Sequence, residues 1–348
     1  MKTFQLLLAG VAAVLLLGGC GGGGDGTASG ETAQGAPPLT KKQKEDLTEL
    51  QLTFESRANP EDAGVLLGDR LGYFADTGLN MYLLGPAAPS LALGYAVEET
   101  DIVMSPLPQL ILAREEGLPL VAIGSVIPET TMSMIWLRGS RINGIADLKG
   151  RRIGMPDLSS QKEFLAYILS KAGLTLGDVK LEGVGYADDL VSKLERGGVD
   201  AIFGGSWNVE GAALKANGQR PVVIRATQLG VPEFDELVFV SRRGRFAKKP
   251  ELLRSFLKAA YRGAAAVKED PVAGSETVVD KSLEFVSPKE GEAGTKATAP
   301  LFSESAPIDR RRAAKLVDWM YEQGMIKNRI PVSKLIAPST SAGTRRSP

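Results

Sequence analysis

The sequence predicts an α/β protein made of two doubly wound lobes joined by two hinge strands. Three observations carry this reading. Strand and helix signals alternate from Leu50 to Ile123, the alternation restarts after Arg138, and two apolar extended segments connect the halves.

In the first half, Leu50 to Phe54 (LQLTF) alternates apolar and polar residues as a strand does. Ala63 to Leu71 has helical spacing and stops at Gly72. Asn80 to Leu84 is a strand ending at Gly85-Pro86, and a helix covers about Pro89 to Glu98. Ile102 to Met104 is a short buried strand, Leu107 to Glu116 a helix, and Leu120 to Ile123 a strand. A βαβαβαβ order of this kind implies a parallel sheet covered by helices. In the second half the strands are Arg152 to Met155, Val179 to Val184, Asp200 to Phe203 and Val222 to Arg225. The helices are Gln161 to Ala172, Asp188 to Arg196 and Val209 to Ala216. Asp101 to Met104 (DIVM) and Asp200 to Phe203 (DAIF) match in place and character, which marks a weak structural repeat. Ser133 to Leu137 and Leu237 to Ser241 are the two hinge strands. Helices at Pro250 to Glu269, Ser275 to Leu283 and Arg310 to Gln323 follow. Two Rossmann-like lobes whose strand ends face each other enclose a cleft, and ligands of open α/β sheets bind beyond the carboxyl ends of the strands.

Composition removes most catalytic options. The 348 residues hold 41 Lys and Arg against 41 Asp and Glu, no His and one Cys. Balanced charge argues against a net basic surface for nucleic acid. Without His there is no imidazole base, nucleophile pair or metal ligand. One Cys excludes disulfide frameworks and Cys-rich metal sites, and nothing calls for a cofactor.

That Cys closes an export signal. Lys2 is followed by the uncharged apolar run Leu6 to Leu17, too short for a bilayer that needs about 20 residues. The run ends in Leu17-Gly18-Gly19-Cys20, which resembles the lipobox of bacterial lipoproteins; the resemblance implies cleavage before Cys20 and diacylglycerol on its sulfur. Residues 20–46 then read as a flexible linker. The expected organisation is a signal peptide at 1–19, lobe I at 47–135 and 236–337, lobe II at 136–235, and a disordered tail at 338–348.

Candidate ligand contacts lie where strands end. Asn59 offers donors and an acceptor after the first strand, though Pro60 makes it equally an N-cap. Ser105 follows a buried strand and also fits a turn before Pro106. Trp207 stands at a strand-to-helix turn, suited to stacking on a flat ligand or to packing under its own helix. Glu210 in that helix's first turn is a candidate acceptor for an exocyclic amine, or complements the helix dipole. Tyr186 beyond Val184 is a second stacking candidate, whereas Trp136 reads as core. Arg57 decides the ligand class: in the cleft it would favour a sulfonate, phosphate or carboxylate, and otherwise it pairs with Glu55 or Glu61.

Several segments resemble one family. Gly64 to Leu79 (GVLLGDRLGYFADTGL) and Ala146 to Gly154 (ADLKGRRIG) resemble type II solute-binding proteins of ABC importers. Gly197 to Gly211 (GGVDAIFGGSWNVEG) and Gly230 to Val240 (GVPEFDELVFV) resemble the branch that groups receptors for the thiamine pyrimidine precursor with those for alkanesulfonates and nitrate. In three places the chain departs from that branch: Ser105 to Pro108, Phe234 before DEL, and Asn59 to Gly64 without the branch's His. The resemblance implies the clamshell of type II periplasmic binding proteins. It implies a monomeric, lipid-anchored, extracytoplasmic receptor without chemistry of its own. Such a receptor captures a small, flat, largely uncharged aminopyrimidine-like solute by lobe closure and hands it to a permease driven by an ATPase subunit. An anionic solute in the same fold is the alternative. A pyrimidine synthase that also resembles the chain consumes a His and uses a Cys-rich iron motif, both lacking here.

Overall fold

The computed structural model describes residues 35–36, 40, 43, 45–85, 93–94, 99–184, 189–304 and 307–338. The signal peptide with Cys20, most of the linker, Tyr186, residues 339–348 and most of the helix expected over Pro89 to Glu98 lie outside the described residues.

Ten strands form two five-stranded sheets. The first contains β1 (Thr48–Thr53), β2 (Leu79–Leu84), β3 (Ile102–Ser105), β4 (Leu120–Ile127) and β10 (Leu237–Arg242), in the order β2-β1-β3-β10-β4. The second contains β5 (Met132–Leu137), β6 (Arg152–Pro156), β7 (Lys180–Val184), β8 (Ala201–Ser206) and β9 (Pro221–Arg225), in the order β7-β6-β8-β5-β9. Each order runs second, first, third, inserted strand, fourth. The weak repeat in the sequence is therefore a repeat of topology.

The expected all-parallel sheets are mixed. β10 runs antiparallel to β3 and β4, and β5 runs antiparallel to β8 and β9. The reason is where the chain crosses. It leaves the first sheet at the carboxyl end of β4 and reaches the second sheet at its carboxyl edge, so its next strand must run back. The return through β10 repeats this. Both hinge segments are thus extended as expected, but each is a full sheet member. The crossings themselves are the short residues 128–131 and 230–236. The lobe boundary expected between 135 and 136 falls inside β5, all of which belongs to the second sheet.

Helices cover the sheets. Against one face of the first sheet lie α1 (Ala63–Arg70), α2 (Tyr73–Asp76), α7 (Pro250–Glu269) and α8 (Pro271–Lys281), around Leu52, Leu67, Phe239 and Phe256. α1 and α7 cross so closely that a Cβ on Gly263 would stand 2.1 Å from the Gly64 carbonyl oxygen, so this contact requires glycine. A second core runs from the other face of this sheet into the second one. It joins α3 (Leu107–Glu115), α4 (Ser159–Lys171) and α10 (Arg310–Glu322), with Trp136 fully buried as expected. α5 (Leu190–Glu195) and α6 (Glu210–Ala216) cover the far face of the second sheet around Ile202 and Leu214.

Besides the one-turn helices at 73–76 and 332–335, α9 (Pro288–Thr298) escaped the sequence reading, because Gly291 and Gly294 weaken its helical pattern. Ser287 and Glu290 start it with a reciprocal capping box. Its glycines let it approach closely: a Cβ on Gly294 would stand 2.6 Å from Cγ of Pro60. The closing helix α11 (Val332–Leu335) precedes Ile336, which bridges to Ala122 on β4.

Candidate functional site

Between the carboxyl edges of the two sheets lies a cavity of about 150 Å³. Its wall is drawn from both halves: Glu55, Asn59, Glu61 and Asp62 beyond β1; Pro106 beyond β3; Pro156 and Leu158 beyond β6; Gln161 on α4; Gly204, Ser206 and Glu210 around the end of β8; and Glu236 before β10. A cavity of this volume accommodates about one six-membered aromatic ring.

The β1 turn is built by local bonding. Asn59 caps a 3-10 turn at Pro60–Asp62, its side chain accepting from the Glu61 amide (2.8 Å) while Asp62 accepts from the Asn59 amide (3.0 Å). Asn59 Nδ2 donates to Ser56 Oγ and to the Arg57 carbonyl, both at 3.3 Å. Asn59 thus caps the turn, as one of its two readings had it, and it also lines the cavity. The turn then aims Glu61 across the cleft. Glu61 Oε1 accepts from Thr131 Oγ1 and from Asn208 Nδ2, each at 3.1 Å, and Asn208 also donates to Thr298 Oγ1 at 2.8 Å. Ser105 is buried and donates to Glu55 Oε1 at 3.4 Å, behind the wall rather than on it.

The β8 turn holds Glu210, whose Oε2 accepts from the Ser206 amide at 2.6 Å. Gly204 has φ +83°, and a Cβ there would meet Gln161 Oε1 at 2.1 Å, so only glycine fits. Gln161 is 6% exposed; its Nε2 donates to the Gly204 carbonyl (3.3 Å), and its Oε1 has no hydrogen-bond partner among the described residues. The crossings are laced together beside the cavity. Glu236 Oε2 accepts from the amides of Thr131 (2.7 Å) and Met132 (2.9 Å), and Thr130 Oγ1 bonds the Phe234 backbone.

Burial dominates the electrostatics. Desolvation lifts the Glu236 carboxyl to about 8 and Glu210 to about 7. It also raises Glu61, and it pushes Glu55 and Asp62 well above the ordinary carboxylate range, with neighbouring acids adding to the Glu55 shift. No Lys or Arg is among the lining residues.

Two sequence candidates point elsewhere. The Trp207 ring carries the Arg225 guanidinium 4.4 Å from its centroid and packs against the first sheet's core; it is not among the cavity-lining residues. Arg57 lies 3.4 Å over the Phe285 ring and does not line the cavity either. Tyr186 lies outside the described residues. Sequence reasoning passed over Glu55, Glu61, Gln161 and Glu236 as lining groups. The available signal was that Glu55, Glu61 and Glu236 all stand near sheet carboxyl edges or crossings, where no His can serve.

The comparisons agree with this architecture. The sequence matches the NMT1/THI5-like family over residues 59–273. A Haemophilus influenzae protein named for thiamine biosynthesis is 28% identical, over 80% of this chain and 88% of that one. The formylaminopyrimidine-binding protein of Halalkalibacterium halodurans is 28% identical, over 67% of this chain and 70% of its own. Other relatives are named 4-amino-5-hydroxymethyl-2-methylpyrimidine phosphate synthase, among them one from Legionella pneumophila. Among solved structures, the alkanesulfonate-binding protein SsuA of Xanthomonas axonopodis pv. citri superposes with a TM-score of 0.65 at 18% identity, covering 82% of this chain and 96% of that one. With two mixed sheets, a cavity between their carboxyl edges and a family match over most of the folded part, this chain is a member of the NMT1/THI5-like family with the periplasmic-binding-protein fold.

Proposed function

We propose that the chain is the extracytoplasmic solute-binding receptor of an ABC importer, and that it captures a small heteroaromatic solute of the thiamine-pyrimidine-precursor kind. The observation that carries this reading is the cavity wall, which among the described residues offers carboxyl and amide acceptors and no cation. Aminopyrimidines present N–H donors along one edge, and acceptors placed around a ring-sized space match that edge. Asn59, Glu61 and Glu210 are the groups that would orient it, with Ser105 steadying Glu55. An alkanesulfonate or nitrate needs the reverse arrangement. Arg57, the residue that would have supplied it, is occupied over Phe285. The bonds that Asn208 and Thr131 make to Glu61 join the two halves across the cavity, and they would hold the lobes closed over the solute until a permease opens them. Lipidation at Cys20 would keep the receptor at the membrane. The chain would act by binding alone: the relatives named synthases share its family, but this sequence has no His for such chemistry, and its one Cys sits in the export signal. Mass spectrometry of small molecules released from the purified protein tests the reading. An aminopyrimidine is the expected mass; an alkanesulfonate would contradict it.

A further inference from the structure

We infer that the cavity is built for an organic cation, so that the receptor takes its solute in protonated form, as an amidinium-like ring. This deepens the receptor reading above and rests on it. The geometry comes first. Glu55, Glu61, Asp62, Glu210 and Glu236 all face one cavity of about 150 Å³, and no lining residue carries a positive charge. Three arginines nearby are engaged elsewhere: Arg57 over Phe285, Arg225 over Trp207, and Arg312 beside Asp235. A buried carboxylate without a counter-charge is costly, and several together more so. The fold's own donors do not resolve this. Glu61 receives two neutral side-chain donors, while Glu236 and Glu210 receive backbone amides. None of these donors carries a charge.

A second observation is independent of the acids. Gln161 is buried, lines the same cavity, and its Oε1 has no hydrogen-bond partner among the described residues. A buried acceptor left without a donor costs about 1–3 kcal/mol in general; Oε1 is set against Gly204, and a turn of the amide would offer it to a ligand N–H. The occupant must therefore bring several donors as well as charge. A metal ion does not fit the description, because among the described residues no three acidic groups converge closely enough to hold one. Acceptors spread around a ring-sized space suit a flat cation whose charge is delocalised over several N–H groups.

Binding then exchanges one cation for another. In the unliganded protein the wall holds protons, with Glu236 and Glu210 raised by burial to about 8 and about 7, and Asp189 adding to the charge near Glu210. A cationic ligand displaces at least one of these protons to solvent. The affinity of a ligand that is a cation throughout the range therefore rises with pH while the wall deprotonates, by up to tenfold per unit for each proton released, whereas a ring that takes up the wall's proton on binding shows no such rise.

Isosteric probes separate charge from shape: benzamidinium, benzamide and benzoate, titrated by calorimetry into the full chain at pH 6, 7 and 8. We expect benzamidinium to bind at least 30-fold more tightly than benzamide, benzoate not to bind, and benzamidinium affinity to rise about tenfold or more from pH 6 to pH 8. Glu210→Gln with Glu236→Gln should reduce the preference at least tenfold and flatten the pH dependence between pH 7 and pH 8. Benzamide binding as well as benzamidinium, or a flat pH profile, overturns the inference. A parallel titration with 4-amino-5-hydroxymethyl-2-methylpyrimidine distinguishes the two levels. If that pyrimidine binds while benzamidinium binds no more tightly than benzamide, the receptor reading survives and the cation inference falls. If benzamidinium binds and the pyrimidine does not, the cation inference stands and the pyrimidine assignment falls. If neither binds, both are overturned.

Discussion

The turn after β1 and the turn after β8 present a carboxylate to the same cavity by different means. Glu61 is held by side chains from across the cleft, Thr131 and Asn208. Glu210 is held by the backbone amide of Ser206, four residues back in its own turn. The first arrangement exists only while the halves are together; the second is complete within the second sheet. Opening the cleft would thus strip Glu61 of its donors and leave Glu210 intact, so under the proposed closure Glu61 would report on it and Glu210 would serve as a fixed anchor. Each turn also sends its most conspicuous side chain away from the cavity, Arg57 onto Phe285 and Trp207 beneath Arg225.

The sharpest way to break the contrast is Glu210→Gln, which keeps the shape and the Ser206 bond but removes the charge. Solute affinity should fall about 100-fold, in line with loss of a charged hydrogen bond of about 1.5–3 kcal/mol, while thermal stability at pH 8 should not fall. A variant with wild-type affinity by calorimetry would remove Glu210 from the site.

Asn208→Ala attacks the other turn. It removes the donor shared by Glu61 and Thr298 at a fully buried position, and should cost about 2–3 kcal/mol of stability in a thermal melt. In small-angle scattering of the unliganded protein it should also enlarge the radius of gyration. An unchanged melting temperature and radius would show that Glu61 does not depend on closure.

The pH dependence of stability reads both turns at once. Glu210 and Glu236 have folded values near 7 and 8, above the ordinary 4.5. Between those limits the folded protein holds protons that the unfolded chain has released. Their stabilisation is complete below about pH 4.5 and is lost as the pH rises to about 8, at about 1.4 kcal/mol per unit for each group still protonated. The melting temperature of the unliganded protein should therefore be lower at pH 8 than at pH 6, and Glu236→Gln should flatten the upper part of that fall. A melting temperature that climbs over this range would contradict the buried, uncompensated carboxyls.

The smallest effects are expected at the two outward residues. Trp207→Ala and Arg57→Gln should each change solute affinity by less than about threefold, while Arg57→Gln loses a cation–π contact of about 0.5–1 kcal/mol. A large loss of affinity in either would place that side chain in the site.

Much of the architecture was legible because it rests on periodicity and on turn residues. The strands at 50–54, 102–104 and 152–155 and the helix at 250–269 follow directly from apolar spacing. The antiparallel insertion of β5 and β10 was not legible, since strand direction depends on which sheet edge the chain reaches after crossing. α9 was hidden by glycines that serve packing against Pro60 rather than helix propensity. Of the cavity-lining residues, Glu210 and Asn59 could be read from their positions at strand ends. Trp207 lies off the cavity wall, because a turn residue's side chain can leave on either side; its Arg225 contact comes from the carboxyl end of β9, two strands away at the same sheet edge. Glu236 carried its signal only in three dimensions, through amides of Thr131 and Met132 more than a hundred residues away.

The most direct measurement is a side-by-side calorimetric titration of the full chain with 4-amino-5-hydroxymethyl-2-methylpyrimidine and with ethanesulfonate at pH 7.5. The account predicts saturable binding of the pyrimidine at micromolar concentration or below and no heat from the sulfonate. Saturable sulfonate binding with a silent pyrimidine would contradict it.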